Sequence, residues 1–526
     1  MLRTAATRIC LGATLLLGAT TNAEAQTIQS PLAPRGSLFF RIDPSATTVK
    51  GIYGPGDTRV LPLGMSLSLP TVGITEVMGL EPTVERFGAL AGMLGTPSIR
   101  LGATTARFSA DERVLPIQLS YGVLDRLTLG VTVPFIRKRL DTLLRLTPDG
   151  ADVGENPFIT EGGVVSAFLD NADATLLTVQ TAVDDRCVQI GEQDTQCISG
   201  RALVSNAGSF LSDLDTAYQE EKLFPLEGSQ LGDGISTRWM GMVASFADWG
   251  AVGPQMLPLA SDPLGQATFE SLVVDPAWPG GGFPLETPDV IMGLGDVELN
   301  VALGLLRPTP PTPIGSAEPE FRVHATAVGT LRFGTGSPDS LRTVSPIDPP
   351  RGVSGFSLKM VTDFLLPGRF GRFAILSIVE GGWNGTREMT LLAPDPAGVF
   401  TPGRTRAEVR WSPGTHIRTS ITPRFQFGPG LSIGAGWQFL RREPDTFEAV
   451  AAEDGVDTPN LPPVGKAYSQ QRFALELRYT SMNKPLIDAV PFPFEILLRG
   501  SKSITGSEGA TMENKAEAMV RFPLHQ

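Results

Sequence analysis

The residues that most often do chemistry are scarce in this 526-residue sequence, which has three histidines, His324, His416 and His525. A serine hydrolase needs a histidine base beside its nucleophile. His324 and His416 fall in mid-segment on polar faces, and His525 stands next to the last residue. These positions favour histidines in hydrogen-bond networks, so we predict no catalytic residue and no enzyme activity.

The sequence also gives no pattern for a metal or a cofactor. Neither a His-x-x-x-His nor a Cys-x-x-Cys spacing occurs, which argues against a zinc site. Asp149, Asp152 and Glu155 offer oxygen ligands, but their spacing is more typical of a solvated acidic loop than of a calcium site. The glycine-rich run 293–295 opens a strand with no helix after it, which favours a turn over a nucleotide-binding loop.

Charged side chains recur on one face of many alternating segments, and they are the strongest functional signal. If these segments cross a membrane, an Arg or Lys facing lipid at mid-depth would cost about 2 to 4 kcal/mol, so the charges must face a lumen. They either ring a wet pathway that selects cargo or pair across the bore and hold it shut. The predicted lumen residues are Asp296, Glu298, Arg322, His324, Lys359, Asp363, Arg418, Arg424, Glu476, Arg478, Glu495 and Arg499.

The segments that carry these charges alternate apolar and polar residues with period two, as half-buried strands do. The clearest unit is a hairpin over 114–136 with one wholly apolar face, and similar segments recur to the C-terminus. Most run about 10 to 13 residues, the length of a tilted membrane strand, whereas ordinary strands average about 5 to 6. The 58 Gly and 44 Pro also favour strands and turns.

Short and long connections alternate along the chain, which is typical of an outer-membrane barrel with its short turns in the periplasm. We therefore predict an all-β fold, a transmembrane antiparallel up-and-down β-barrel of about 12 strands with both mature termini in the periplasm. Ile99–Phe108 is the predicted first strand. The count becomes 14 if Arg404–Trp411 pairs separately or Ser37–Ile42 joins the wall. The predicted long loops are 137–293, 335–353, 384–403 and 442–469.

The N-terminus predicts export. Arg3 and Arg8 precede the apolar stretch 9–21, and small residues precede a cleavage site between Ala25 and Gln26, as in a secretory signal peptide. No later stretch reaches the 18 or so apolar residues of a spanning helix. The predicted divisions are the signal peptide 1–25, a periplasmic or plug segment 26–95, the outer-membrane barrel 96–526, and within it an extracellular insertion, 137–293.

The insertion shows helical spacing, which predicts a folded cap or plug. Cys187 and Cys197 lie within it, and an oxidising exterior predicts a disulfide between them. The apolar residues at helical spacing are Val165, Phe168, Leu169, Ala172, Leu176, Val179 and Val183, then Phe210, Leu211, Leu214, Ala217 and Tyr218.

Charge distribution bears on partners. The net charge of −12 makes nucleic acid a poor partner. Basic residues at the predicted outer rim are suited to lipid phosphates, although arginines also occur at the inner rim. Besides outer-membrane lipid, the expected partners are the barrel-assembly machinery and a small-molecule cargo. The outer-rim residues are Arg137, Lys138, Arg139, Arg404, Arg406, Arg441 and Arg442.

Three short motifs resemble outer-membrane barrels of the MetA-pathway phenol-degradation family. They are Tyr121-Gly122 followed by Asp125-Arg126, then Gly293-x-Gly295-Asp296, and the strand end 331–336. The resemblance covers roughly 97–526 and implies a passive channel for small, apolar or aromatic compounds. The chain departs from the family in Phe333-Gly334, where Leu-Pro is usual, in the long insertion and in its C-terminal residues. The alternative is a non-transporting barrel whose cap binds a partner.

Overall fold

The computed structural model describes residues 31–56, 59–77, 79–93, 95, 97–278, 281–283, 289–306, 321–336, 352–366, 372–392, 399–400, 406–427, 430–450, 467–482 and 493–525. The predicted signal peptide, with its cleavage site at Ala25 and Gln26, lies outside these residues, as does Arg404 of the predicted outer rim. The side chains of Arg322 and Arg406 are outside the described part as well.

The described residues form strands, five α-helices and one 3-10 turn, at Met65–Leu67. The strands are β1 (Leu38–Ile42), β2 (Ser45–Tyr53), β3 (Val60–Pro62), β4 (Val72–Gly73), β5 (Arg100–Leu124), β6 (Leu127–Thr147), β7 (Val153–Glu155), β8 (Leu223–Pro225), β9 (Asp289–Leu294), β10 (Val297–Leu306), β11 (Arg322–Phe333), β12 (Gly355–Leu366), β13 (Arg372–Asn384), β14 (Arg387–Leu392), β15 (Arg406–Ser412), β16 (His416–Phe427), β17 (Leu431–Arg442), β18 (Thr446–Ala449), β19 (Tyr468–Thr480), β20 (Glu495–Gly506) and β21 (Thr511–His525). The helices are α1 (Glu81–Leu90), α2 (Pro157–Ile190), α3 (Thr195–Glu220), α4 (Gln230–Ala247) and α5 (Gln266–Val274).

Among the described residues, twelve antiparallel wall positions close into a barrel. β1 and β2 lie end to end in one position, because Ile42 pairs with Val520 and Ser45 with Glu517 in an unbroken register. β9 and β10 likewise share one position beside β6. The order around the wall is β1–β2, β5, β6, β9–β10, β11, β12, β13, β16, β17, β19, β20 and β21, which returns to β1–β2. The predicted antiparallel barrel of about 12 strands is confirmed.

The first wall strand differs from the predicted one. Ile99–Phe108 is not a separate strand, because Arg100–Leu124 forms one continuous strand of 25 residues. The first position belongs to β1–β2, so Ser37–Ile42 supplies wall, whereas β15 forms a separate sheet with β14 and β18. The count therefore stays at twelve. Asp43-Pro44 obscures this strand in the sequence, since proline lacks a donor for the ladder and argues against a central strand.

Two predicted boundaries also move. β6 continues past residue 137 to Thr147, because its upper half pairs with residues 103–110 of β5. The chain re-enters the wall at Asp289, so the insertion is 148–288 rather than 137–293. Of the predicted periplasmic or plug segment 26–95, β1–β2 lies in the wall, and apolar residues between 63 and 90 are buried in the same core as the insertion.

The wall has two chemically different faces. Its outward side chains are large, apolar and exposed, among them Leu119, Val131 and Leu475. Inward side chains at alternate positions are polar and buried, as Thr128 and Glu476 show. A wall that presents apolar side chains outward and polar ones inward matches a barrel surrounded by lipid.

A second region, here called the cap, consists of residues 60–99 and 148–283 with the upper halves of β5 and β6. Its interior is apolar, and the buried indole of Trp239 packs against three phenylalanine rings at centroid distances of 5.4 to 6.1 Å. Such aromatic pairs add about 0.5 to 1.5 kcal/mol each beyond area burial. The predicted helical segments are confirmed, because Val165, Val179 and Tyr218 are buried in α2 and α3.

The α2–α3 hairpin of the cap is fastened at both ends. At one end Cys187 and Cys197 form the predicted disulfide. At the other, Asn156 accepts a hydrogen bond from the Phe158 backbone N–H at 2.8 Å and caps α2. The same amide donates to the Tyr218 and Glu221 carbonyls at 2.8 and 2.6 Å. In the part of the chain that the structure describes, no helix has both the length and the apolar composition needed to span a bilayer.

Candidate functional site

The candidate site is the charged interior of the barrel, and its driest part lies near the tight β16–β17 turn. Arg424 of β16 donates to Glu476 of β19, and these side chains are only 1% and 3% exposed. Close by, Arg478 lies 2.7 Å from Glu495 of β20, and both side chains are again nearly fully buried. We call these four residues the inner charge layer.

The Arg424–Glu476 pair connects two strands that are not neighbours. The two side chains can meet because the residue between them on the intervening strand is a glycine. The register places Arg424 opposite Gly434 of β17, and Gly434 opposite Glu476. A Cβ at position 434 would lie 2.8 Å from Glu476 Oε1 and 3.0 Å from Arg424 Cγ. Any larger residue would therefore push the two charged side chains apart.

A second charged group lies nearer the cap. Glu380 of β13 stands between two cations, with Lys359 Nζ at 3.7 Å and Arg418 Nη1 at 4.0 Å. The Lys359 and Arg418 side chains are 36% and 48% exposed. We call these three residues the outer charge group. Because its cations are solvated and those of the inner layer are not, the bore passes from wet to dry along its length.

Further inward charges line the side of the barrel where it closes. Arg472 of β19 lies 2.5 Å from Glu513 of β21. Glu517 lies 2.6 Å from Lys515 and 3.7 Å from Arg499. Paired opposite charges thus continue across β19, β20 and β21, as expected where charges leave water and need partners.

The structure separates the predicted lumen residues into several roles. It brings together Arg424 with Glu476, Arg478 with Glu495, and Lys359 with Arg418 through Glu380. In other parts of the bore, His324 lies opposite Asp363 in the ladder, and Glu298 lies opposite Arg332. Arg499 lies beside Glu517.

Asp296 has a different position from the other predicted lumen residues. Its carboxylate accepts hydrogen bonds from the backbone N–H groups of Gly336 at 2.8 Å and Gly352 at 2.9 Å. Arg387 of β14 donates to the Gly352 carbonyl at 2.6 Å. Asp296 therefore holds the two ends of the connection between β11 and β12 together at the cap-side rim. This placement gives a structural role to Asp296, the aspartate that follows the glycine-rich run 293–295.

His416 packs against a glycine. A Cβ at Gly382 would lie 2.1 Å from His416 Cε1, so the ring occupies the space that a side chain there would need. The predicted hydrogen-bond network around the inward histidines stays a prediction. His525 lies at the end of β21, the last wall strand.

Several members of these groups were not among the predicted lumen residues, namely Glu380, Arg472, Glu513, Lys515 and Glu517. All five stand at alternate positions in strands whose other face is apolar, so their parity was a usable signal. The sequence alone does not show which of these strands lie close to each other in the wall, because loops separate them in the chain.

No family model and no curated protein matches this chain. Among solved structures, it is similar to an outer membrane channel from Pseudomonas putida F1, with 9% identity, a TM-score of 0.39, and 95% of this chain and 100% of that one covered. It is also similar to the transport unit of the Escherichia coli autotransporter AIDA-I, with 8% identity, a TM-score of 0.31, and 98% of this chain and 96% of that one covered. For the Pseudomonas putida toluene transporter TodX, the identity is 10% and the TM-score 0.24, with 93% of this chain and 90% of that one covered.

Proposed function

We propose that the protein is a passive outer-membrane channel for small molecules, constricted by the inner charge layer. The observation that carries this proposal is the gradient of exposure inside the bore. The side chains of Arg418 and Lys359 are 48% and 36% exposed, whereas those of Arg424 and Glu476 are almost completely buried. Charges that served only to seal a barrel would be buried along its whole length.

The size of the barrel supports a narrow pathway. Eight strands leave an interior that side chains fill, and 16 leave an open aqueous channel, so twelve strands lie between the two. Only small cargo fits such a bore. The apolar or aromatic class of cargo rests on the sequence resemblance alone.

Solute uptake into liposomes tests the proposal. The double variant Arg424→Ala with Glu476→Ala removes both charges and the bulk of the inner layer, so conductance and uptake of small solutes should rise. The matched control is Arg201→Ala with Glu192→Ala, which removes a 2.6 Å ion pair of the same residue types from the cap surface. It should change neither. Failure of both the native protein and the inner-layer variant to pass any solute would overturn the proposal.

A non-transporting barrel with a partner-binding cap is the second candidate. The dry inner layer, in which each charged side chain has an oppositely charged neighbour, and the compact apolar interior of the cap favour it. Excising 149–288 separates the two functions: a channel plugged by its cap becomes leakier, whereas a scaffold does not. Apolar residues of the 63–90 segment would lose their cover, so retained barrel structure must first be checked by its strand circular dichroism.

We further propose export by the signal peptide 1–25, residence in the outer membrane, and outer-membrane lipid and the barrel-assembly machinery as partners. The two-faced wall supports a lipid environment. Membrane fractionation with N-terminal sequencing tests this, and a mature chain that begins at Gln26 in the outer-membrane fraction is the expected result.

A further inference from the structure

A large apolar groove crosses the outside of the wall. It has a volume of about 1380 Å³ and runs over β17, β19, β20, β21, β2, β5, β6 and β9. Small residues form its central section, where Gly500, Ala516 and Ala46 lie side by side on neighbouring strands. Larger residues such as Leu475 and Phe135 flank them. The volume exceeds the roughly 300 to 1,000 Å³ of ordinary small-molecule sites, so the groove suits a long or branched apolar occupant.

Two arginines stand at one side of this groove. Arg113 of β5 and Arg137 of β6 are directly opposite each other in the ladder, exposed, and part of the groove lining. Like charges placed opposite in an antiparallel pair destabilise it. Neither guanidinium makes a side-chain hydrogen bond or an ion pair to the described residues. The neighbouring polar residues do have partners, since Thr48 donates to Asp111 at 2.6 Å and Arg139 pairs with Asp141 at 2.9 Å.

The arginine pair marks the border of the apolar band. On the same two strands, the next outward residues below the arginines are the exposed Leu115 and Phe135. One outward position above it are Asp111 and Arg139. The guanidinium groups therefore lie at the level where lipid headgroups meet hydrocarbon, directly beside a groove that continues into the hydrocarbon.

We propose that Arg113, Arg137 and the groove form a binding site for a phosphorylated, multiply acylated glycolipid of the outer leaflet, of the lipid A class. The phosphate offers the oxygen acceptors that two adjacent guanidinium groups require. The acyl chains fill the groove over Gly500, Ala516 and Ala46. The site rests on the proposed residence in the outer membrane but needs no transport through the bore, so failure of the solute-uptake test leaves it standing.

A second copy of the chain is a poorer occupant. A symmetric dimer through this face would bring the same patch of both copies together and place Arg113 and Arg137 against their own equivalents. Such a contact would also place two concave grooves face to face, which leaves a space between the copies. Charge complementarity thus favours an anionic lipid.

Native mass spectrometry of the purified full chain tests the site, with lipid A, dephosphorylated lipid A and phosphatidylglycerol as separate probes. Arg113→Gln with Arg137→Gln removes the cations. Arg441→Gln is the matched control, since Arg441 is also an exposed rim arginine but has Glu443 at 3.2 Å. Gly500→Leu adds side-chain bulk to the groove at a position where a Cβ meets nothing within 4 Å.

The expected result is retention of lipid A by the native protein and by Arg441→Gln. Adduct affinity should fall about tenfold or more in the double glutamine variant, as lost charge-assisted hydrogen bonds imply. It should also fall in Gly500→Leu, and phosphate removal from the lipid should match the glutamine effect. Equal retention by all variants, or equal retention of phosphatidylglycerol, overturns the proposal. So does a dimer that the same variants dissolve, because that outcome assigns the groove to a second copy.

Discussion

The wall and the cap sort the same residue types in opposite directions. In the wall, Val131 and Leu475 face outward and Arg424 is buried inside. In the cap, Trp239 is buried inside, and charged pairs such as Glu192–Arg201 are on the surface. Burial in this chain is therefore decided by the solvent on each side of an element. Hydrophobicity alone does not tell which face of a strand lies within the protein.

The change from one arrangement to the other occurs within single strands. On β6 the even-numbered face carries the polar Thr128 low in the wall, but Leu140 and Leu144 at the level of the cap, and all three are buried. The same face of one strand thus lines a polar bore below and an apolar core above. Four measurements test whether the wall and the cap meet different solvents.

Breaking one buried ion pair in the wall should have the largest effect. Arg424→Ala leaves Glu476 charged and unpaired in a dry interior, which should lower the free energy of unfolding by about 3 to 5 kcal/mol. Replacing both partners by apolar residues of similar size, Arg424→Met with Glu476→Leu, should cost much less. Denaturant unfolding in lipid vesicles measures both, and equal losses would contradict a dry, paired layer.

A charge added to an exposed apolar residue should distinguish the two regions directly. Val131→Arg places a guanidinium on the lipid side of β6 and should cost about 2 to 4 kcal/mol of unfolding free energy. Leu177→Arg, on the exposed side of α2, should change it by no more than about 0.5 kcal/mol. The same vesicle assay compares the two variants. Similar costs would mean that the two surfaces meet the same solvent.

Removal of the disulfide should affect the cap and leave the wall intact. Cys187→Ser with Cys197→Ser opens a short covalent loop and should lower cap stability by about 2 to 3 kcal/mol in the chain-entropy view. Tryptophan fluorescence, measured with Trp383, Trp411 and Trp437 replaced by phenylalanine, follows the cap, and the strand signal in circular dichroism follows the wall. A loss of barrel signal at the same denaturant concentration would show that the regions unfold as one unit.

The smallest expected effect concerns the exposed Glu192–Arg201 pair. The hydrogen bond from Arg201 holds the pKa of Glu192 below its ordinary value of 4.5. A depressed folded-state pKa contributes stability above the unfolded pKa and loses it as the pH falls through the folded value. The small difference between the native protein and Glu192→Gln should therefore be present at pH 7 and disappear in acid. A difference that grows in acid would contradict this sign.

Local chemistry explains which parts of this structure could be predicted. Period-two alternation identified most wall strands from Leu115 onward, and helical spacing identified Val165 and Tyr218 as interior residues of the cap. Asp43-Pro44 hid the first wall position, because a proline there resembles a strand end. β5 appeared as two strands, because its upper half packs against the cap instead of facing lipid.

The candidate site was less accessible to prediction, because its partners are far apart in the sequence. The inward direction of Arg424 and Glu476 follows from parity, but their pairing depends on Gly434 in the strand between them. The position of Asp296 depends on two backbone N–H groups at residues 336 and 352. Neither arrangement leaves a pattern in a short stretch of sequence.

The strand that closes the barrel has a consequence for the order of assembly. Phe40 of β1 pairs with Phe522 at the far end of the chain, while its other neighbour in the wall is Leu119 of β5. One neighbour of β1 is near it in the sequence and the other is remote, so the wall cannot close before both β5 and β21 are in place. Closing so long a loop costs conformational entropy, and until β21 is in place the sheet keeps two edges with unpaired backbone groups. A variant truncated before β21 would keep both edges open and would be prone to edge-to-edge aggregation.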